Sequence, residues 1–76
     1  MKNIKVLGTG CSNCKTTIKL IEEVAREKGV AIELEKVEDI REIMTFNVLS
    51  TPGVVLDGQV VHAGGVPPRG KIESWF

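Results

Sequence analysis

The sequence predicts an α/β protein: one domain over residues 1–76, in the order β-α-β-α-β-β-α, with a four-stranded mixed sheet flanked by helices. Three observations lead there. Apolar residues alternate with period 2 in some segments and with the helical period in others, and the two kinds take turns along the first half. A strand, a helix and a second strand in succession form a βαβ unit with parallel strands. Asp57-Gly58 between two apolar runs is the strongest short-range hairpin signal, so the second half of the sheet is antiparallel.

Lys2 to Leu7 reads as the first strand, with Ile4 and Val6 alternating against Asn3 and Lys5. Gly8-Thr9-Gly10 breaks the pattern as a loop. From Cys14 to Lys28 the period is helical: Ile18, Ile21, Val24 and Ala25 share a face, with Cys14 one turn before Ile18. Lys15, Lys19, Glu22, Glu23, Arg26 and Glu27 form a solvated opposite face, on which Lys19–Glu23 and Glu22–Arg26 are i,i+4 opposite-charge pairs. Gly29 is placed to cap the helix in the left-handed conformation. Val30 to Val37 alternates, with Val30, Ile32 and Leu34 on one side and Ala31, Glu33 and Glu35 on the other, as a half-exposed or edge strand does.

Glu38 and Asp39 open a second helix, where negative charge suits the N-terminus. Ile40, Ile43, Met44 and Val48 give it an apolar stripe, with Met44 read as core, and Asn47 ends it. Val54-Val55-Leu56 and Val60-Val61 flank the type I′ turn, and Gly64-Gly65 ends the second arm. A last helix falls between about Pro67 and Phe76, despite the helix-weakening Gly70, with Trp75 and Phe76 packing on the sheet.

Size and composition exclude several function classes. A domain of 76 residues buries only about 60% of the surface its unfolded chain exposes, which leaves no room for a large enclosed substrate cavity. The formal net charge is +0, from 10 basic and 10 acidic residues, so neither nucleic acid nor an anionic membrane is an expected partner. Aromatic residues, at 4%, are too few for a base-stacking platform. No apolar run approaches the roughly 20 residues of a membrane span, and the apolar stretch near the start is too short for a signal h-region. The expectation is a cytoplasmic protein.

Cys11-Ser12-Asn13-Cys14 holds the only two cysteines and lies at the junction of the first strand and first helix. A C-x-x-C at such a junction is the arrangement of a thiol–disulfide redox centre. Unpaired N–H groups at a helix N-terminus carry partial positive charge that stabilises a thiolate, and the thiolate is what attacks disulfides. In a reducing compartment two cysteines are seldom a structural staple, and a bridge across two residues closes too small a loop to stabilise much.

Taken with Gly8-Thr9-Gly10 before the cysteines, Ser50-Thr51-Pro52, Asp57-Gly58 and Gly64-Gly65-Val66-Pro67, this pattern resembles small thioredoxin/glutaredoxin-fold proteins over nearly the whole chain. It is most similar to the short archaeal and bacterial redox-active disulfide proteins of that superfamily. The resemblance implies a thiol–disulfide oxidoreductase that reduces or exchanges disulfides in protein substrates through a mixed disulfide. Cys11 is then the exposed nucleophile with a depressed pKa and Cys14 the more buried resolving thiol. It implies a cis Thr51–Pro52 bond that faces the cysteines and offers the Thr51 backbone to an extended substrate, with Ser12 and Asn13 completing the substrate-binding set. No metal or organic cofactor is needed beyond the reversible Cys11–Cys14 disulfide. The implied partners are protein disulfides and a thioredoxin-reductase-like or low-molecular-weight thiol reductant, with the chain acting as a monomeric electron carrier in cell redox homeostasis.

Departures from the larger family members bear on rate and potential. Gly10 stands where a Trp precedes the first cysteine, Ser12-Asn13 replaces Gly-Pro or Pro-Tyr, and the first strand has no Asp to accept the Cys14 proton. Thr51-Pro52 lacks the Val of a glutathione-binding Thr-Val-Pro, and Gly64-Gly65 is followed by no carboxylate, which favours a protein disulfide over glutathione. Lys15 is read as a bland exposed residue and His62 as a partly exposed structural one. The competing reading is a soft-metal module that holds Cu(I) on the same two thiolates. Against it, such modules carry Met where Thr9 stands, run β-α-β-β-α-β, and lack Thr51-Pro52. Structural zinc wants four ligands, more than two Cys and one His supply. A non-catalytic interaction domain would have no need of both cysteines at the helix start.

Overall fold

Residues 2–8, 12–48 and 50–76 are described by the structure, a computed structural model. Among the described residues, seven elements follow the expected order: β1 (Lys2–Leu7), α1 (Ser12–Lys28), β2 (Ile32–Val37), α2 (Ile40–Thr45), β3 (Gly53–Leu56), β4 (Gln59–Ala63) and α3 (Arg69–Glu73). The sheet order is β2-β1-β3-β4. β1 runs parallel to β2, with Val6 opposite Lys36, and antiparallel to β3, with Val6 opposite Val54. The mixed sheet thus has β1 and β3 at its centre, the parallel partner at one edge and the hairpin arm β4 at the other.

Both faces of the sheet are covered. Ile4, Val6 and Val54 point to the face that packs Ile21 and Val24 of α1 and Ile72 of α3, closed by Trp75. Leu7, Val37 and Val55 point to the opposite face, under Ile43 of α2 and Val48. Val54 and Val55 are adjacent in the chain yet serve different cores, because successive strand residues face opposite ways. A near-continuous apolar run is what a strand covered on both sides requires.

Local chemistry fixes the ends of the elements. Val30 N–H donates to Ala25 O at 2.9 Å and Gly29 N–H to Arg26 O at 3.2 Å, the paired bonds of a Schellman cap, with Gly29 at φ 65°. Val30 is consumed by this cap, so β2 begins at Ile32, later than the sequence pattern suggests. The Asp39 side chain accepts from Arg41 N–H at 2.9 Å and caps α2, and Asn47 leaves it at φ 59°. Asp57 and Gly58 both have positive φ, as the type I′ turn demands. The register shifts between Val54 and Val55 as β4 gains one residue, a bulge at Val61.

Two expectations are corrected. Met44 and Ile40 are not core: they are 60% and 62% exposed, and Ile43 alone buries the helix. The α1 pairs Lys19–Glu23 and Glu22–Arg26 do not close among the described residues. Arg69 instead reaches from α3 to Glu27 of α1, at 2.5 Å, and to Glu73, at 3.5 Å. Glu27, then Glu73, holds the Arg69 guanidinium further above its ordinary pKa. No helix among the described residues is long and apolar enough to cross a membrane.

Candidate functional site

α1 begins at Ser12, directly after Cys11 in the chain, and places Cys14 in its first turn. Its early backbone carbonyls are engaged by side chains: Thr16 Oγ1 donates to Ser12 O at 3.0 Å and Thr17 Oγ1 to Asn13 O at 2.8 Å. No acidic residue occupies the first turn, so the helix itself brings no carboxylate to the positive end of its dipole. Ser12 and Asn13 are exposed, whereas Cys14 is 4% exposed and turned toward the sheet. Cys11, Thr9 and Gly10 lie outside the described residues.

Gly8, buried at the end of β1, is where the pieces of the site converge. A methyl group placed on its Cα would overlap Cys14 Sγ, lie 3.3 Å from Cys14 Cβ and lie 3.9 Å from Thr51 Cβ. The Cys14 sulfur therefore rests on the bare backbone of Gly8, with the Thr51 side chain beside it. The Thr51–Pro52 bond is cis, with Pro52 fully buried and Thr51 exposed. Gly64 N–H donates to Pro52 O at 3.0 Å and ties this loop to the end of β4. Of the sequence-predicted site residues, Cys14, Thr51 and Pro52 are thus gathered around Gly8, and Ser12 and Asn13 stand on the adjoining helix tip.

A cleft of about 310 Å³ opens beside Cys14, lined by Val6, Gly8, Lys15, Ile18, Lys36 and Glu38. Lys36 and Glu38 were not legible as site residues. The signal lay in register alone, since the pairing of β1 with β2 sets Lys36 beside Val6. Thr17 is equally silent in the sequence: it is fully buried three residues after Cys14, on the stripe that continues through Ile21 and Val24. Ile18 is only half-buried and edges the cleft.

His62 does structural work, as expected. Its Nδ1 accepts from Lys71 Nζ at 2.9 Å, which leaves Nε2 as the protonated nitrogen donating to Gly65 O, also at 2.9 Å. Among the described residues no group of three or more His, Cys, Asp or Glu is placed to hold a metal ion.

Comparison with known proteins agrees with this geometry. A thioredoxin domain family model, Thioredoxin_3, matches residues 2–76. A thioredoxin of Methanothermobacter thermautotrophicus is 32% identical over 74 residues, 97% of this chain and 96% of its own. A thioredoxin of Methanocaldococcus jannaschii is 38% identical over 71 residues, 93% of this chain and 81% of its own. Among experimental structures, a thioredoxin-2 described as a component of malaria parasite protein secretion machinery superposes with a TM-score of 0.69 at 15% identity. That match covers 97% of this chain and 79% of the other, and bears on the fold alone.

Proposed function

The chain belongs to the thioredoxin-domain family and is a thiol–disulfide oxidoreductase; we propose that Cys11 is its nucleophile and Cys14 its resolving thiol. The observation that carries the assignment is the seat of Cys14: one turn into α1, buried on Gly8, beside Thr51 and Pro52. A thiol so enclosed is a poor first attacker on a bulky substrate and is well kept for an intramolecular second step. Cys11 adjoins a helix start whose dipole meets no first-turn carboxylate, which favours its thiolate.

The cycle has two displacements. Cys11 thiolate attacks one sulfur of a substrate disulfide, forms a mixed disulfide and expels the first substrate thiolate. Cys14 attacks Cys11 Sγ, forms the Cys11–Cys14 disulfide and expels the second substrate sulfur, which leaves as a thiol once the Cys14 proton has passed to it through solvent. The substrate gains two electrons and the protein dithiol loses two. The oxidised pair is then reduced by a thioredoxin-reductase-like enzyme or a small thiol. Thr51 offers its backbone to an extended substrate segment over buried Pro52, and exposed Ser12 and Asn13, which follow Cys11 in the chain, complete the substrate-binding set. Protein disulfides are the favoured substrates over glutathione, because no carboxylate follows Gly64-Gly65 to meet a glutathione amino group. The cycle runs without a metal or organic cofactor, in a monomer acting in the reducing cytoplasm as an electron carrier.

Cys14→Ser tests the roles. It leaves Cys11 able to attack and removes the release step, so stable mixed disulfides with proteins accumulate and are lost on adding dithiothreitol. The absence of any such adduct from a variant whose Cys11 still alkylates would refute the division of labour. A redox titration of the wild-type pair in dithiothreitol and glutathione buffers gives its potential and the direction of electron flow; a pair that never oxidises there would refute the cycle.

A further inference from the structure

We propose that Gly8 is a positioning residue for the release step: its missing side chain fixes where the Cys14 sulfur sits, and any Cβ at this position displaces that sulfur. The proposal rests on the resolving role given to Cys14 above.

Gly29, Gly58, Gly64 and Gly65 all have positive φ, a backbone conformation that by itself accounts for glycine. Gly8 is not among them, so its requirement is space. The space is filled by sulfur: a Cβ on Gly8 would overlap Cys14 Sγ. Gly53 is also confined, but there the obstacle is Val48 Cγ1, at 3.0 Å, an apolar group with no chemistry to perform.

What yields to a Cβ at Gly8 is decided by what is held. Gly8 N–H donates to Val37 O at 2.9 Å, and the preceding Leu7 is registered against both Val37 and Gly53, so the backbone on this side is anchored. On the other side Cys14 Cβ belongs to a 17-residue helix fixed to the sheet through buried Thr17, Ile21 and Val24. The soft coordinate between them is χ1 of Cys14. A change of staggered rotamer carries the sulfur roughly 3 Å, and the cleft that both residues line has room to receive it. In release, a new S–S bond forms between Cys14 and Cys11 as the bond from Cys11 to substrate sulfur breaks. A misplacement of even ~1 Å can cost a reaction on the order of 100-fold.

The test uses an aromatic disulfide that yields a coloured thiolate, such as 5,5′-dithiobis(2-nitrobenzoic acid), mixed with excess reduced protein. Wild-type protein releases one thiolate in a first phase that depends on protein concentration and the second in an intramolecular phase that does not. Gly8→Ala retains the first phase and slows the second on the order of 100-fold. Stability gives a second readout. The destabilisation caused by Gly8→Ala shrinks in a Cys14→Ala background, because the overlapped sulfur is gone, and this comparison holds even where the single variant folds poorly. Full-rate second release from Gly8→Ala, or an equal destabilisation in both backgrounds, would overturn the proposal. Wild-type protein that releases only the first thiolate would refute the resolving role of Cys14 itself, a failure distinct from that of the seat.

Discussion

Thr17 carries a hydroxyl into a fully buried position, and its partner explains why the fold accepts it. Oγ1 donates to Asn13 O at 2.8 Å, one turn back along the same helix. The Asn13 carbonyl also lies within range of the helical backbone ladder, so removing the hydroxyl leaves no acceptor stranded in an apolar site. Thr17→Val keeps the branched shape and is expected to change stability by less than about 1.5 kcal/mol. Thr17→Ala also removes packed atoms and is expected to cost more. Urea unfolding followed by the fluorescence of Trp75, the only tryptophan and 9% exposed, measures both. Thr17 is also a residue that sequence could not place. Cys14, Ile21 and Val24 stand out on one helical stripe because they are apolar, whereas a threonine at the same spacing reads as polar until its hydrogen bond is seen. Gly8 escaped for a related reason: a glycine after a strand is read as a turn former, and the sulfur packed against it comes from the next element.

At the scale of elements, legibility followed backbone requirement. Asp57-Gly58, Gly29 and Asn47 were identifiable because positive φ is tolerated by very few residue types, so the residue declares the conformation. Gly58→Ala, at φ 86°, is accordingly expected to cost about 1–2 kcal/mol, seen as a lower urea midpoint with an unchanged slope. The turn has further support that this change leaves in place: Asp57 N–H donates to Asn3 O at 2.8 Å, and Asp57 Oδ1 accepts from Asn3 N–H at 2.9 Å. α2 is less legible. It spans six residues, too few for a stripe to define a direction. With about 100° between successive residues, Met44 lies more than a quarter-turn around the helix from Ile43; Ile40 is on nearly the same side as Ile43 but is the first residue of the helix and stays exposed, so only Ile43 is buried. Ile43→Ala is expected to cost about 2–5 kcal/mol, whereas Ile40→Ser and Met44→Ser are expected to fall within about 0.5 kcal/mol of wild type. Comparable losses at all three positions would show that α2 is covered in a way the isolated chain does not reveal.

The whole molecule depends on a last element that has little helical stability of its own. α3 has five residues, includes Gly70, begins after Pro68 without a side-chain cap, and is far below the length at which an isolated helix persists. It is held by what it covers. Ile72 is fully buried and Trp75 nearly so, and together they close the core that β1, β3 and α1 leave open. Lys71 to His62 and Arg69 to Glu27 fasten its exposed side to β4 and α1. A lid of this kind has two possible modes of failure: it peels away while the sheet and α1 persist, or its loss unfolds everything. Size decides between them. A chain this short is expected to have a total stability of roughly 4–11 kcal/mol, and truncating one buried isoleucine removes about 2–5 kcal/mol of it. With α3 gone, Ile4, Val6 and Val54 would be covered by Ile21 and Val24 of α1 alone, a core too small to hold the remaining sheet. Ile72→Ala is therefore expected to lower the urea midpoint for the whole chain, with Trp75 fluorescence and far-ultraviolet circular dichroism still changing together. A fluorescence transition at clearly lower urea than the dichroism transition would show instead that α3 is a detachable flap, and that the core over α1 is stable without it.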